Sequence, residues 1–135
     1  MSFLPSVLLV DDDPTTNYLN KLLLTRMGVV GQVLVAENGE QALRTLDQAC
    51  CALTNPMCPQ LILLDMNMPV LNGLGFLENY AQLPLSQQQS IVIVMLTTSL
   101  HPVDLARARE LPIAGFLNKP LTREKVDMLL SEHFA

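Results

Sequence analysis

The sequence predicts an α/β fold: a doubly wound sheet of five parallel strands with helices on both faces. Short apolar runs recur at residues 7–10, 32–35, 61–64, 91–96 and 115–117. The first, third and fourth are apolar throughout, with no alternation, as strands buried on both faces read. Segments with helical periodicity separate the runs, so a βα unit repeats five times along the chain. Right-handed crossovers between parallel strands then place helices on either side of one sheet.

Each connecting segment carries its own start signal. Asp13-Pro14 offers an N-cap followed by proline at the first helical position, and Leu19, Leu22 and Leu23 follow as an apolar stripe. Asn38 with Gln41 resembles a capping box ahead of Ala42, Leu43 and Leu46. Asn72-Gly73 opens a segment with Leu74, Leu77 and Tyr80 at helical spacing. Pro102 can start a fourth helix that Pro112 terminates. Thr122 can cap the last, with Val126, Leu129, Leu130 and Phe134 facing inward. Residues 54–60 hold two prolines and no periodicity, and read as a loop.

A chain of 135 residues is one domain by the length prior, expected over 1–135 with no output domain attached. The net charge of −5 argues against a nucleic-acid-binding surface. No apolar run approaches the ~20 residues of a membrane helix, and the first residues, with no basic region before a long apolar stretch, give no expectation of a secretory signal. The expectation is a cytoplasmic protein with no membrane partner. Cys50, Cys51 and Cys58 are odd in number, and two are adjacent. They read as reduced thiols rather than a disulfide framework. A zinc site would need further ligands, and no histidine lies near them in sequence.

Ligands of such sheets bind beyond the carboxyl ends of the strands. Asp11, Asp12 and Asp13 follow the first run, Asp65 the third, Thr97 and Thr98 the fourth, and Asn118-Lys119-Pro120 the fifth. Taken singly, the aspartate triplet could cap a helix, Lys119 could be a solvated loop lysine, and Thr97 could close a turn. Asp65 is harder to set aside, because an aspartate ending a buried strand must be solvated, paired or metal-bound. Carboxylates brought together repel one another unless a cation neutralises them. A hard divalent ion with oxygen ligands suits such a set.

These four separated motifs, with Met66-Asn67-Met68-Pro69 after Asp65 and Gly73 beyond it, resemble the receiver domain of two-component response regulators, of the stand-alone chemotaxis type. The resemblance covers almost the whole chain, from about Val7 to Phe134. It implies a flavodoxin-like (βα)5 fold with strand order 2-1-3-4-5. It implies a signalling switch rather than an enzyme, with Asp65 as phospho-acceptor and Mg²⁺ as cofactor. Asp12 would be a direct ligand, Asp11 a helper through water, and Asn67 a ligand through its carbonyl. Lys119 and the Thr97 hydroxyl would hold phosphoryl oxygens. Thr97 and Phe116 would form the switch, reported on the face of the fourth helix, fifth strand and fifth helix. The implied partners are a histidine kinase or histidine phosphotransfer protein and a downstream protein target. The state would be a monomer or a phosphorylation-dependent homodimer.

Two rivals occupy the same residues. Asp11 and Asp13, followed by Thr15, also resemble the nucleophile and general acid of haloacid-dehalogenase phosphatases. That reading lacks a further acidic motif after Lys119 and gives Asp65 no role. A flavin carrier would want a hydroxyl- and glycine-rich phosphate loop where three aspartates stand.

Overall fold

The structure, a computed structural model, describes residues 3–50, 58–66, 72–83, 91–97, 102–111 and 113–134. In chain order the elements are β1 (Leu4–Val10), α1 (Pro14–Met27), β2 (Val30–Ala36), α2 (Gly39–Ala49), β3 (Leu61–Asp65), α3 (Gly73–Tyr80), β4 (Val92–Thr97), α4 (Pro102–Arg109), β5 (Gly115–Asn118) and α5 (Arg123–Phe134). All five strands are parallel, in the order β2-β1-β3-β4-β5. This is the predicted fold. The strands run beyond their apolar cores: β1 begins at Leu4, whose N–H donates to the Val29 carbonyl at 2.8 Å, and β3 takes in Asp65.

Side-chain alternation divides the interior in two. Leu8, Val10, Ile62, Leu64, Ile93 and Met95 face α2 and α3, packing on Ala42, Leu46, Leu74, Phe76, Leu77 and Tyr80. Val7, Leu9, Leu61, Leu63, Val94 and Leu96 face α1 and α5, packing on Leu24, Val126, Leu129 and Leu130. Phe134, expected to face inward, is only partly buried. Among the described residues no helix is long and apolar enough to cross a membrane.

The caps form where the sequence places them. Asp13 accepts from the Thr15 N–H at 3.1 Å, Asn38 from the Gln41 N–H at 2.8 Å and Asn72 from the Gly75 N–H at 2.8 Å. The Gln41 side chain reaches one residue further back than a capping box requires, accepting from the Glu37 N–H. Pro112 lies outside the described residues.

Two expectations need correction. The inward face of α1 only partly coincides with the Leu19, Leu22 and Leu23 stripe, of which Leu23 packs on the core. Leu19 is 55% exposed, and the buried residues are Asn17, Asn20 and Leu24. The helix is rotated so that two asparagines reach the interior beneath the acidic loop. The thiols are not all reduced either, since Cys50 and Cys58 form a disulfide. Cys50 caps the end of α2 and Cys58 precedes β3, and their Cα atoms are 4.7 Å apart. A helix end and a strand entrance that meet in space are invisible to counting cysteines. Cys51 lies outside the described residues.

Candidate functional site

At the carboxyl edge of the sheet, neighbouring strands deliver acidic residues side by side. Val10 of β1 pairs with Leu64 of β3, so Asp11 and Asp65 leave adjacent strands at one level. Both are buried, with 3% and 5% exposure, while Asp12 beside them is exposed. Oxygens of Asp11, Asp12 and Asp65 all lie within 4.8 Å of one another. Lys119 follows β5 and reaches over the end of β4 to meet them. Its Nζ is 2.9 Å from Asp11 Oδ2 and 3.1 Å from Asp65 Oδ1. The other Asp11 oxygen accepts from the Asp13 N–H at 2.9 Å.

One ammonium thus bridges two buried carboxylates. Burial alone would push the Lys119 ammonium down, but hydrogen bonds to Asp11 and Asp65 and their charges hold it above its ordinary value. Three carboxylates against one lysine leave a formal charge of −2 at this edge. That excess, on hard oxygen donors, fits a divalent cation such as Mg²⁺. Asp12 offers the exposed carboxylate, and Asp11 and Asp65 the buried pair. Asn67, expected to contribute its carbonyl, lies outside the described residues, as does Thr98.

Thr97 is buried at the end of β4, and its carbonyl accepts the Lys119 N–H at 2.9 Å. Asp65 pairs with Leu96, so Thr97 is one residue past the level of Asp65. By alternation Thr97 shares the face of Met95, which pairs with Phe116, while Thr97 itself pairs with Asn118. Thr97 and Phe116 are therefore diagonal neighbours rather than directly opposed. Phe116 is partly buried and packs on the α2 and α3 side of the core.

Gly73 closes the floor. Its N–H donates to the Met66 carbonyl at 3.0 Å, and a Cβ there would stand 2.7 Å from the Asp65 carbonyl oxygen. The sequence flags Gly73 by pattern, and the structure supplies the reason: no side chain fits between α3 and the backbone of Asp65 and Met66. Two residues that sequence reasoning passes over also touch this edge. Asn17 Nδ2 donates to the Asp11 carbonyl at 2.8 Å, and Lys125 Nζ donates to the carbonyls of Asn118 and Pro120 at 2.7 and 2.9 Å. The asparagine pair interrupting α1's apolar face was a readable signal for the first. Nothing in the sequence marked the second.

Comparison with known proteins agrees with this geometry. Residues 7–130 match the response regulator receiver domain family. The chain is 33% identical over 130 residues to the nitrate/nitrite response regulator protein NarL of Escherichia coli, covering 96% of this chain and 54% of that protein. It is 30% identical over 128 residues to the probable chemotaxis protein CheY of Rhizobium etli, covering 95% and 91%. It thus spans about half the length of NarL and nearly all of the chemotaxis protein. Among solved structures, a two component response regulator from Cytophaga hutchinsonii superposes with a TM-score of 0.84 at 27% identity, covering 96% of each chain. Vibrio cholerae chemotaxis protein CheY4 superposes at 0.77, also at 27% identity, covering 96% and 98%. With a family match across 7–130 and an acidic strand edge bridged by lysine, this chain belongs to the receiver domains of two-component response regulators.

Proposed function

We propose that the chain accepts a phosphoryl group on Asp65 from a phosphohistidine of a histidine kinase or histidine phosphotransfer protein, and then changes its partner-binding face. The observation that carries this is the Lys119 ammonium shared between the Asp11 and Asp65 carboxylates. Asp11, Asp12 and Asp65 would hold Mg²⁺, with the Asn67 carbonyl in the role the family resemblance implies. When bound, the ion supplies positive charge for the carboxylates and phosphoryl oxygens.

The protein's own part is positioning and charge neutralisation, which is most of what phosphoryl transfer requires. Lys119 offsets the negative charge of the Asp65 carboxylate, the nucleophile, as the phosphoryl group approaches. An Asp65 oxygen bonds to phosphorus as the phosphorus–nitrogen bond to the donor imidazole breaks, and the imidazole keeps that electron pair. Lys119, released from Asp65, then pairs with a phosphoryl oxygen, and the Thr97 hydroxyl binds another. Drawing Thr97 toward the phosphate vacates space on the face it shares with Phe116. The ring then moves between discrete positions and alters the surface of α4, β5 and α5. Phosphate biases that equilibrium only by its differential contacts in the two states.

The phosphatase alternative meets a specific obstacle. Asp13, its general acid, is committed to capping α1, accepting from the Thr16 hydroxyl and the Thr15 N–H. These bonds hold its carboxyl below the ordinary value, opposite to what a general acid needs.

The test is incubation with acetyl phosphate. The proposed function predicts one hydroxylamine-labile phosphoryl group per chain, formed with Mg²⁺ and not formed in the presence of a chelator. No incorporation, or continuous phosphate release with label on Asp11, would overturn it.

A further inference from the structure

We propose that Asn17 and Lys125 are positioning residues, fixing Asp11 and Lys119 by holding the main-chain carbonyls of the loops that carry them. The proposal rests on the reading of this edge as a phosphoryl-accepting site, and adds two residues that lie outside its acidic cluster.

Where a parallel strand ends, its last carbonyls lose their ladder partners and must find others. At β1 the Asp11 N–H still bonds the Ala36 carbonyl at 3.1 Å, and the Asp11 carbonyl is taken by Asn17 Nδ2 at 2.8 Å. At β5 the Lys119 N–H bonds the Thr97 carbonyl at 2.9 Å, and Lys125 Nζ takes the carbonyls on either side, Asn118 at 2.7 Å and Pro120 at 2.9 Å. The pattern is the same at both ends. A side chain early in the following helix reaches back to the loop just before it, six residues at Asn17 and seven or five at Lys125. With backbone donors and acceptors fixed, the direction in which Asp11 and Lys119 leave the chain is fixed too. That direction brings Asp11 Oδ2 and Lys119 Nζ to 2.9 Å.

Neither residue is well chosen for stability alone. Asn17 is 4% exposed, on the face where α1 meets the core, and its Oδ1 is buried with no hydrogen-bond partner among the described residues. A buried amide left half-satisfied costs free energy that an apolar side chain would not. Lys125 sits in the first turn of α5, where the helix dipole disfavours a cation. Each instead satisfies backbone carbonyls at the active edge.

The two residues act through different side chains, so their variants have different signatures. Asn17→Leu, acting through Asp11, lowers Mg²⁺ affinity on the order of tenfold, as loss of a metal ligand's supporting hydrogen bond does. Lys125→Met keeps the aliphatic stem, does not lower Mg²⁺ affinity, and slows phosphorylation by acetyl phosphate on the order of tenfold, the scale of a small misplacement. Lys125→Arg recovers most of that rate. In a Lys119→Met background, Lys125→Met has no further effect. Mg²⁺ titration, phosphorylation rate and thermal melting of these purified chains provide the readouts. Unchanged rates and affinities, or parallel losses of melting temperature, Mg²⁺ affinity and rate in both variants, would overturn the assignment. A wild-type chain that takes no phosphoryl group would overturn the reading of the site itself and the Lys125 half with it. Mg²⁺ affinity would still decide Asn17.

Discussion

Lys119 is both the site's cation and its stabiliser. Two carboxylates with side chains 5% and 7% exposed share its ammonium. Removing one partner of a buried ionic group costs about 3–5 kcal/mol, because the remaining charges stand uncompensated. Lys119→Met is therefore expected to melt well below wild type without metal. Mg²⁺ should bind the variant more tightly than wild type and restore much of the loss, because a competing positive charge is gone. Melting curves with and without Mg²⁺ check this, and an equal Mg²⁺ shift in both proteins would contradict it. Asp12 is exposed, so Asp12→Ala should abolish Mg²⁺ binding and phosphorylation while leaving the metal-free fold at least as stable. At Gly73 the constraint is steric. A methyl group there meets the Asp65 carbonyl at 2.7 Å and Met66 Cα at 3.0 Å, both backbone atoms that cannot step aside cheaply. Gly73→Ala should cost about 1–3 kcal/mol and impair phosphorylation beyond its effect on the folded fraction. These roles were only partly legible beforehand. Motif spacing named Asp11, Asp12, Asp65 and Lys119, because strand ends are readable from apolar runs. It could not show that one lysine bridges two carboxylates, which depends on β4 lying between β3 and β5.

At the scale of elements, hydrophobic pattern and caps carried most of the information. Uninterrupted apolar runs announced β1, β3 and β4, and Asp13, Asn38 and Asn72 mark the starts of three helices. The pattern failed on α1, where leucines outnumber the positions the core can take. Leu19 stays exposed while Asn17 and Asn20 go inward, where Asn17 bonds the Asp11 carbonyl. It failed again at the thiols, because a disulfide follows from where a helix ends, not from residue spacing. The Cys50–Cys58 bond closes a short loop with a sequence separation of 8. Loop-closure entropy for that length corresponds to about 2–3 kcal/mol. The exit of this loop is also held without the bond: Gln60 exchanges hydrogen bonds with Ser6 and accepts from Val92. Reduction, or Cys58→Ser, should therefore lower the melting temperature without unfolding the domain. The bond precedes β3 whereas Asp65 ends it, so the phosphorylation rate should stay within about twofold of wild type by the independence of distant sites. The register makes a further prediction for the switch. Phe116 is diagonal to Thr97, so Phe116→Ala should leave acceptance of the phosphoryl group nearly intact while narrowing the beryllofluoride-induced change in partner affinity. An unchanged affinity ratio would remove Phe116 from the route.

For the whole molecule, Lys119 and Tyr80 are two groups whose titration should weaken the fold at alkaline pH. Lys119 is held above its ordinary value, and burial pushes the fully buried Tyr80 up to about 12 from 10.0. In both cases the folded state keeps its proton to higher pH than the unfolded chain. Their contributions are fully present below the unfolded values, near pH 10, and are lost as pH rises through the folded ones. Urea midpoints should fall steadily above pH 10, and less steeply in Tyr80→Phe. The same sheet order that buries Tyr80 against the core delivers Asp11, Asp65 and Lys119 to one edge, so fold and site are consequences of one topology. The central claim is that this edge takes a phosphoryl group on Asp65. Its most direct test is to phosphorylate the chain with acetyl phosphate and Mg²⁺, trap the acyl phosphate by borohydride reduction, and map the modified residue by peptide mass spectrometry. Modification at Asp65, absent from Asp65→Asn, is the predicted result; labelling that persists unchanged in Asp65→Asn, or that maps to Asp11 in the wild type, would contradict it.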